Sequence, residues 1–319
     1  SQDWTFSAFF EEAILFSNSI NIRPQEHVAL CSANPEYLLK AMFALWLKGA
    51  VVVPLNPKFP ENQKQKLLKK TRSTFLEQLE LNRVSSEQKP DYNTLKSINT
   101  DAWASIIFTS GSTGFPKAVV HSLANHFYSA LGANQVMSLN PGDRWMMSLP
   151  LYHVGGLAIF FRTLLSGATL VVPCEKLTLA ESLVDNKISH LSLVPTQLYR
   201  LLQSSDGIDS LLQLKLILLG GSAIPVTLLD QSLELGLNIK TTYGSTEMAS
   251  QVATGKKDSY QILPFREVRI SSENDACPEI EVRGKTRFLG YLDELVLNQP
   301  FDKNGWFKTG DLGTLNDKP

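Results

Sequence analysis

The strongest constraint on this chain is a repeating order of short apolar runs and longer amphipathic stretches. VALCSA at 28–33 reads as a buried strand, Pro35 opens a helix through YLLKAMFALWLKG that Gly49 stops, and VVVPL at 51–55 reads as the next strand. The order recurs downstream: helix FYSALGANQVM, strand WMMSL, helix GGLAIFFRTLLSG, strands ATLVV and HLSLV, helix TQLYRLLQ, strand LKLILLG, helix PVTLLDQSLELG. Strands separated by helices cannot close tight hairpins. They cross over and run parallel under a helical cover, which predicts an α/β fold of mostly parallel, helix-wrapped sheets. Beyond about residue 262 the texture changes to short β-like runs, REVRIS and EIEVRG, broken by Gly, Asn and Asp. The expected division is a first α/β subdomain over 1–165, a second over 166–262, and a small β-rich, barrel-like subdomain over 263–319. Residues 77–101 are polar with one proline, and read as a loop or surface linker.

Charge and cysteine usage narrow the function classes. Thirty Lys+Arg against 31 Asp+Glu leave a formal charge of −1, so the basic footprint of a nucleic-acid binder is absent. Cys31, Cys174 and Cys277 are far apart and lack CxxC or Cys/His spacing, which fits scattered thiols in a reducing compartment better than disulfides or zinc. The N-terminal SQDWTFSAFFEEAILF is too acidic and broken for a signal sequence, and no apolar run approaches the roughly 18 residues of a membrane span. The expected location is cytoplasmic, with no membrane span; a homo-oligomer is compatible with the composition.

The segment SIIFTSGSTGFPKAVVHS (105–122) sets an apolar strand against a loop of small hydroxylated residues and glycines. It is not a Walker loop, because Lys117 follows Phe115-Pro116 and the glycines stand at 111 and 114. Nor is it a dinucleotide fingerprint, because the β-branched AVVHS after Lys117 continues as a strand and the helix begins only near Ser122. A helix dipole is therefore not its main source of positive potential. The remaining donors are the loop amides, freed by Gly111 and Gly114 to approach an anion, and the hydroxyls of Thr109, Ser110, Ser112 and Thr113. Lys117 adds a mobile charge. Such a set suits a polyphosphate; a ligand-free glycine-serine turn is the alternative on these residues alone.

Four further motifs follow in order: LPLYHVGG (149–156), LLGGSAIP (218–225), TTYGSTE (241–247) and GWFKTGD (305–311). Together with the loop, this set resembles the adenylate-forming superfamily of acyl- and aryl-CoA synthetases, luciferases and peptide-synthetase adenylation domains, over roughly residues 28–313. The resemblance implies the large N-terminal domain of that fold, and joining of a carboxylate to the α-phosphate of ATP before transfer to a thiol, with CoA as co-substrate. Charge stabilisation and positioning dominate such a step.

The resemblance also assigns residues. Thr109, Ser110, Gly111, Ser112, Thr113, Gly114 and Lys117 would hold the β- and γ-phosphates. Ser222 and Ala223 would lie beside adenine, with Ser222 also a good helix N-cap and Pro225 near the first helical turn. In YGSTE, Tyr243 would stack on adenine beside Gly244 and Ser245, Thr246 would bond the α-phosphate, and Glu247 would ligate Mg²⁺ together with Thr109. Asp311 would accept from the ribose hydroxyls. His153, taken alone, reads as a packed, hydrogen-bonded histidine; the family places this position at the entrance for the acid, where it is a candidate catalytic and substrate-binding residue.

The stretch HLSLVPTQLYRLL followed by LLGGSAIPV is similar to o-succinylbenzoate:CoA ligases of menaquinone biosynthesis. Thr196 and Arg200 are spaced i, i+4 on one helix face, with Leu198, Leu201 and Leu202 on the apolar side. A guanidinium fork binds a carboxylate bidentately, and this acid has two: one to activate and one to recognise. Arg200 is thus the expected anchor, against the plain reading of a solvated helix face. The family pattern continues into a mobile C-terminal lid with a hinge and a lysine for the acyl phosphate. Neither can be assigned before GDLGTLNDKP, so impaired adenylation is expected of these 319 residues. The other expected readings are another acyl- or aryl-CoA synthetase, an amino-acid-adenylating domain, or a catalytically silent nucleotide-binding fragment.

Overall fold

A computed structural model describes residues 4–76, 92, 98–109, 116–174, 176–257, 259–271 and 278–315. In chain order the elements are α1 Phe6–Ser19, β1 His27–Leu30, α2 Pro35–Leu47, β2 Val51–Pro54, α3 Glu61–Thr71, β3 Thr74–Phe75, β4 Trp103–Thr109, β5 Lys117–Ser122 and α4 Leu123–Met137. There follow β6 Arg144–Met146, α5 Val154–Ser166, β7 Thr169–Val171, α6 Leu179–Asp185, β8 His190–Leu193, α7 Pro195–Leu201, α8 Ser205–Leu212, β9 Leu216–Leu219 and α9 Val226–Glu234. The remainder is β: β10 Ile239–Ser245, β11 Ser250–Lys256, β12 Ser259–Ile262, β13 Arg266–Ile270, β14 Glu279–Gly284, β15 Gly290–Asp293, β16 Val296–Asn298 and β17 Phe307–Leu312. Two compact units divide the chain: residues 1–124, 150–157 and 288–298 in the first, and 125–149, 158–287 and 299–319 in the second.

The first unit carries a seven-stranded sheet of order β16-β15-β5-β4-β2-β1-β3. Strands β3, β1, β2 and β4 run parallel, as the crossover argument requires, while β5, β15 and β16 extend the sheet antiparallel. Val51, Val53, Ile106, Phe108, Ala118, Val120 and Leu292 form one buried cluster on it. Local chemistry sets the helix ends. Asn34 caps α2 by accepting from the Glu36 and Tyr37 amides, and Pro35 takes the first helical position. At the other end Gly49 adopts φ +70°, with Gly49 N–H donating to Trp46 O and Ala50 N–H to Leu45 O, a Schellman stop.

Four helices, α1, α3, α6 and α8, escape the sequence reading. In α1, Thr5 caps the helix by accepting from Ala8 N–H, and Phe9, Ala13 and Phe16 bury one stripe. Phe9 and Phe10 both meet Phe43 of α2 edge-on, with ring centroids 5.6 and 4.9 Å apart.

The second unit carries a sheet of order β12-β11-β10-β9-β8-β6-β7 and a three-stranded antiparallel sheet β13-β14-β17. Strands β10, β9, β8, β6 and β7 are parallel, and their helices close a leucine-rich core that includes Leu191, Leu193, Leu198, Leu201, Leu211, Ile217 and Leu219. The fold is thus mixed α/β, with two largely parallel helix-covered sheets. No described helix is long and apolar enough to cross a membrane.

Candidate functional site

In the first unit, β4 and β5 pair antiparallel, with Ile106 opposite Val120 and Thr109 opposite Lys117. The phosphate-loop candidate therefore has its two flanking residues, Thr109 and Lys117, held side by side by the sheet. Thr109 is half-buried at one end and Lys117 exposed at the other; Ser110, Gly111, Ser112, Thr113 and Gly114 lie outside the described residues. Lys117 and Val119 share a face, and Tyr291 of β15 stands opposite Val119, so Lys117 and Tyr291 are diagonal neighbours. The ammonium sits 4.9 Å from the Tyr291 ring centroid. His153 closes the turn before α5, where its amide donates to Pro150 O at 3.1 Å. Its ring meets Tyr152 edge-on at 4.8 Å. Although the residue is exposed, partial desolvation of the imidazole lowers its pKa, favouring the neutral form.

In the second unit, four predicted motifs come together at the carboxyl ends of β8, β9 and β10, where parallel α/β sheets bind ligands. The LLGGSAIP turn leaves β9 against β10: a Cβ on Gly220 would lie 2.3 Å from Thr242 Cγ2. Gly221, at φ +84°, would place a Cβ 3.3 Å from Val194 Cγ1, at the entrance to α7. Ser222 and Ala223 follow, both exposed.

Ser222 is not the helix cap expected of it. The cap position is Pro225, with no side-chain hydrogen bond, and α9 begins at Val226. The physical reason is Pro225 itself, because the residue before a proline is driven from helical to extended backbone. Ser222 is thereby left on an irregular, exposed turn.

The YGSTE motif straddles the end of β10 and a 3-10 helical turn, Thr246–Met248. Register slips at Tyr243/Gly244 against β11, and a Cβ on Gly244 would fall 2.0 Å from Ser250 O. Only glycine fits this bulge, which re-aims the chain between Tyr243 and Thr246. Tyr243 donates its phenolic hydrogen to Asp311 Oδ2 at 2.8 Å, joining YGSTE to KTGD. Asp311 is held in turn by its amide, which donates to Thr309 Oγ1, and by Gly310 N–H, which donates to Glu279 Oε1. Burial raises the Tyr243 pKa above the ordinary phenol value, and the charges of Asp311 and Glu247 act in the same direction against Thr309. Glu247 therefore stands within electrostatic reach of the same ring.

Thr196 and Arg200 share the solvent face of α7, while Leu198, Leu201 and Leu202 are buried on the other side as their spacing predicts. Among the described residues, the Arg200 guanidinium makes no ion pair or hydrogen bond and is free to receive an anion. Sequence reasoning missed Gln197, between these faces. A signal was available, since Gln three residues inside a helix start is a capping pattern.

The strand ends of this helix-wrapped parallel sheet thus gather a Gly-Gly turn, a bulged Tyr-Gly-Ser-Thr-Glu strand and a tyrosine-bonded aspartate. Residues 1–292 match the AMP-binding enzyme family, and the chain belongs to that family.

The relatives are more particular. The chain is 37% identical to the 2-succinylbenzoate–CoA ligase of Salmonella typhimurium over 305 residues, covering 92% of this chain and 64% of that protein. Wild-type Escherichia coli MenE with a bound analogue of OSB-AMS superposes with a TM-score of 0.80 at 31% identity, covering 98% of this chain and 69% of that one. Bacillus subtilis MenE, an o-succinylbenzoate coenzyme A synthetase in complex with ATP and magnesium, gives a TM-score of 0.81 at 26% identity, covering 99% and 73%. The chain thus spans 64% of the length of the Salmonella ligase.

Proposed function

We propose that this chain is the substrate-binding portion of an o-succinylbenzoate:CoA ligase, which activates that acid with ATP and passes the acyl group to CoA. The observation that carries the reading is Arg200. An exposed guanidinium with no ion pair or hydrogen bond among the described residues stands one helix turn from Thr196 on α7, in a chain similar to 2-succinylbenzoate–CoA ligases. Arg200 would fork onto the benzoate carboxylate, leaving the succinyl carboxylate to react.

In the reaction, a carboxylate oxygen attacks the α-phosphorus of ATP, the bond to the β-phosphate oxygen breaks, and pyrophosphate leaves with the electron pair. The acyl-adenylate then yields to the CoA thiol, releasing AMP. The protein's share is positioning and charge stabilisation. Tyr243 would offer its ring face to adenine beside Ser222 and Ala223, with Gly244 and Ser245 shaping the strand. Asp311, already oriented by Tyr243 and Thr309, would accept from the ribose hydroxyls. Thr246 would donate to the α-phosphate as charge builds there. Thr109, Lys117 and the loop between them would receive the pyrophosphate end, and His153, favoured in its neutral form, would border the acid.

No cluster of three His, Cys, Asp or Glu that could hold a metal ion occurs among the described residues. Glu247 is half-exposed and offers a hard oxygen, which fits a magnesium ion arriving with ATP. When bound, that ion would offset phosphate charge.

The test is ATP–pyrophosphate exchange with o-succinylbenzoate, benzoate, medium-chain fatty acids and amino acids, on wild type and Arg200→Ala. Exchange should be strongest with o-succinylbenzoate. Arg200→Ala should raise the KM for that acid about ten- to a hundredfold and leave the KM for ATP within about twofold. Equal effects on both substrates, or preference for a fatty or amino acid, would refute the assignment.

A further inference from the structure

Helix α7 has only two turns, and its cap residue Val194 offers no side-chain acceptor. Its first turn is instead held by Gln197. Gln197 Oε1 accepts from Val194 N–H at 3.0 Å, while Nε2–H donates to Ser148 O at 3.2 Å, on the chain leaving β6. Ser148 is in turn fastened to β8, because its hydroxyl donates to Ser192 O. One amide thus ties the start of α7 both to itself and to the neighbouring strand exit. At about 100° per residue, Gln197 lies between the Thr196/Arg200 face and the Leu198/Leu201 face. Its orientation is therefore coupled to that of both faces. Leucine packing fixes how deeply the helix sits but is non-directional. The Val194 bond is internal to the helix start and fixes the Gln197 amide on it, while the directional bond to Ser148 O reaches the neighbouring strand exit and so constrains the rotation of α7 about its axis.

We infer that Gln197 is a positioning residue for acid specificity: through Val194 and Ser148 it fixes the rotation of α7 and with it the aim of Thr196 and Arg200. The inference rests on the proposed role of Arg200 as the carboxylate anchor. A side chain that holds the supporting turn governs how well a recognition group meets its ligand without touching it.

The experiment uses the whole chain, titrated with o-succinylbenzoate in saturating α,β-methylene-ATP and, separately, with the ATP analogue alone. Gln197→Met keeps the length of the side chain and removes both hydrogen bonds. It should weaken o-succinylbenzoate roughly five- to tenfold and the ATP analogue less than about twofold. Gln197→Glu keeps the acceptor for Val194 N–H but loses the donor to Ser148, and should weaken the acid at least as much. In an Arg200→Ala background, Gln197→Met should cost less than about twofold more, because it acts through Arg200. Full additivity, or equal weakening of both ligands, would show a merely structural role and overturn the inference. If Arg200→Ala weakens the acid and Gln197→Met does not, this inference alone fails. If Arg200→Ala leaves acid binding unchanged, the anchor assignment fails and this inference with it.

Discussion

Tyr243 Oη donates to Asp311 Oδ2 at 2.8 Å across 68 positions of sequence. The bond joins the bulged end of β10 to β17, so the residue proposed to stack on adenine orients the one proposed to hold the ribose.

This bond has a titration consequence. Burial raises the Tyr243 pKa, and the neighbouring carboxylates of Asp311 and Glu247 raise it further. A folded pKa above the unfolded value of about 10 contributes stability that is fully present below pH 10 and lost as pH rises through the folded pKa. Spectrophotometric titration of wild type and Tyr243→Phe should therefore superimpose through the ordinary phenol range, with Tyr243 ionising only above it. A loss of one tyrosine's absorbance change near pH 10 in the variant would contradict this.

Gly244 and Gly310 should respond differently to a methyl group. At Gly244 an added Cβ would lie 2.0 Å from Ser250 O, a clash with backbone, whereas at Gly310 (φ +79°) it meets nothing within 4 Å and only conformational strain opposes it. Gly244→Ala should cost about 3 kcal/mol and Gly310→Ala about 1 kcal/mol in denaturant unfolding. Equal costs would mean that the bulge can relax.

Two buried arginines offer another contrast. Arg266 donates Nε to Gln251 O, Nη1 to Pro264 O, and Nη2 to Ser129 O and Oγ. Arg162 is fully buried, with no hydrogen-bond partner for Nε or Nη2; burial, with the charge of Arg266 nearby, pushes its pKa down to about 9. Arg266→Met would orphan several buried carbonyls and should cost about 2–4 kcal/mol. Arg162→Met removes a buried charge that stands 5.4 Å from the Trp145 ring centroid but lacks hydrogen bonds at Nε and Nη2 among the described residues, and should cost much less than Arg266→Met. A fall in melting temperature as large as that of Arg266→Met would contradict this.

Asp143 makes stability acid-sensitive. Burial alone would raise its pKa, but Lys215 Nζ at 2.7 Å and the Asn140 amide at 2.9 Å overcome this and lower it. A depressed folded pKa contributes stability present above the unfolded value of about 3.9 and lost as pH falls through the folded one. Asp143→Asn should thus cost about 1–2 kcal/mol at pH 7, mostly for the lost buried acceptor, since Lys215 is largely exposed. The gap between wild type and variant should close below about pH 4.

Much of this was legible in the chain itself. The alternation from VALCSA to PVTLLDQSLELG carries the parallel cores, because apolar period and strand-helix spacing are local properties. The shared exposed face of Thr196 and Arg200 was legible for the same reason: i, i+4 spacing needs only a helix. The cap at Ser222 was misread because a proline three residues later overrides a favourable cap residue. The antiparallel additions β11, β12, β15 and β16 went unread, since short runs such as GYLD and VLN carry no periodic signal and become strands only through partners already in a sheet.

Sequence alone therefore determined the α/β class, the order of the motifs and the candidate chemistry of each residue. Those depend on residue type and near-neighbour spacing. Tertiary structure decided which distant residues share a site: it paired Tyr243 with Asp311, pressed Gly220 against Thr242, and fastened Gln197 to Ser148. Such contacts arise from strand order and from close approach at a few glycines and buried amides. No local pattern encodes them, because their free energy appears only once the sheets have assembled.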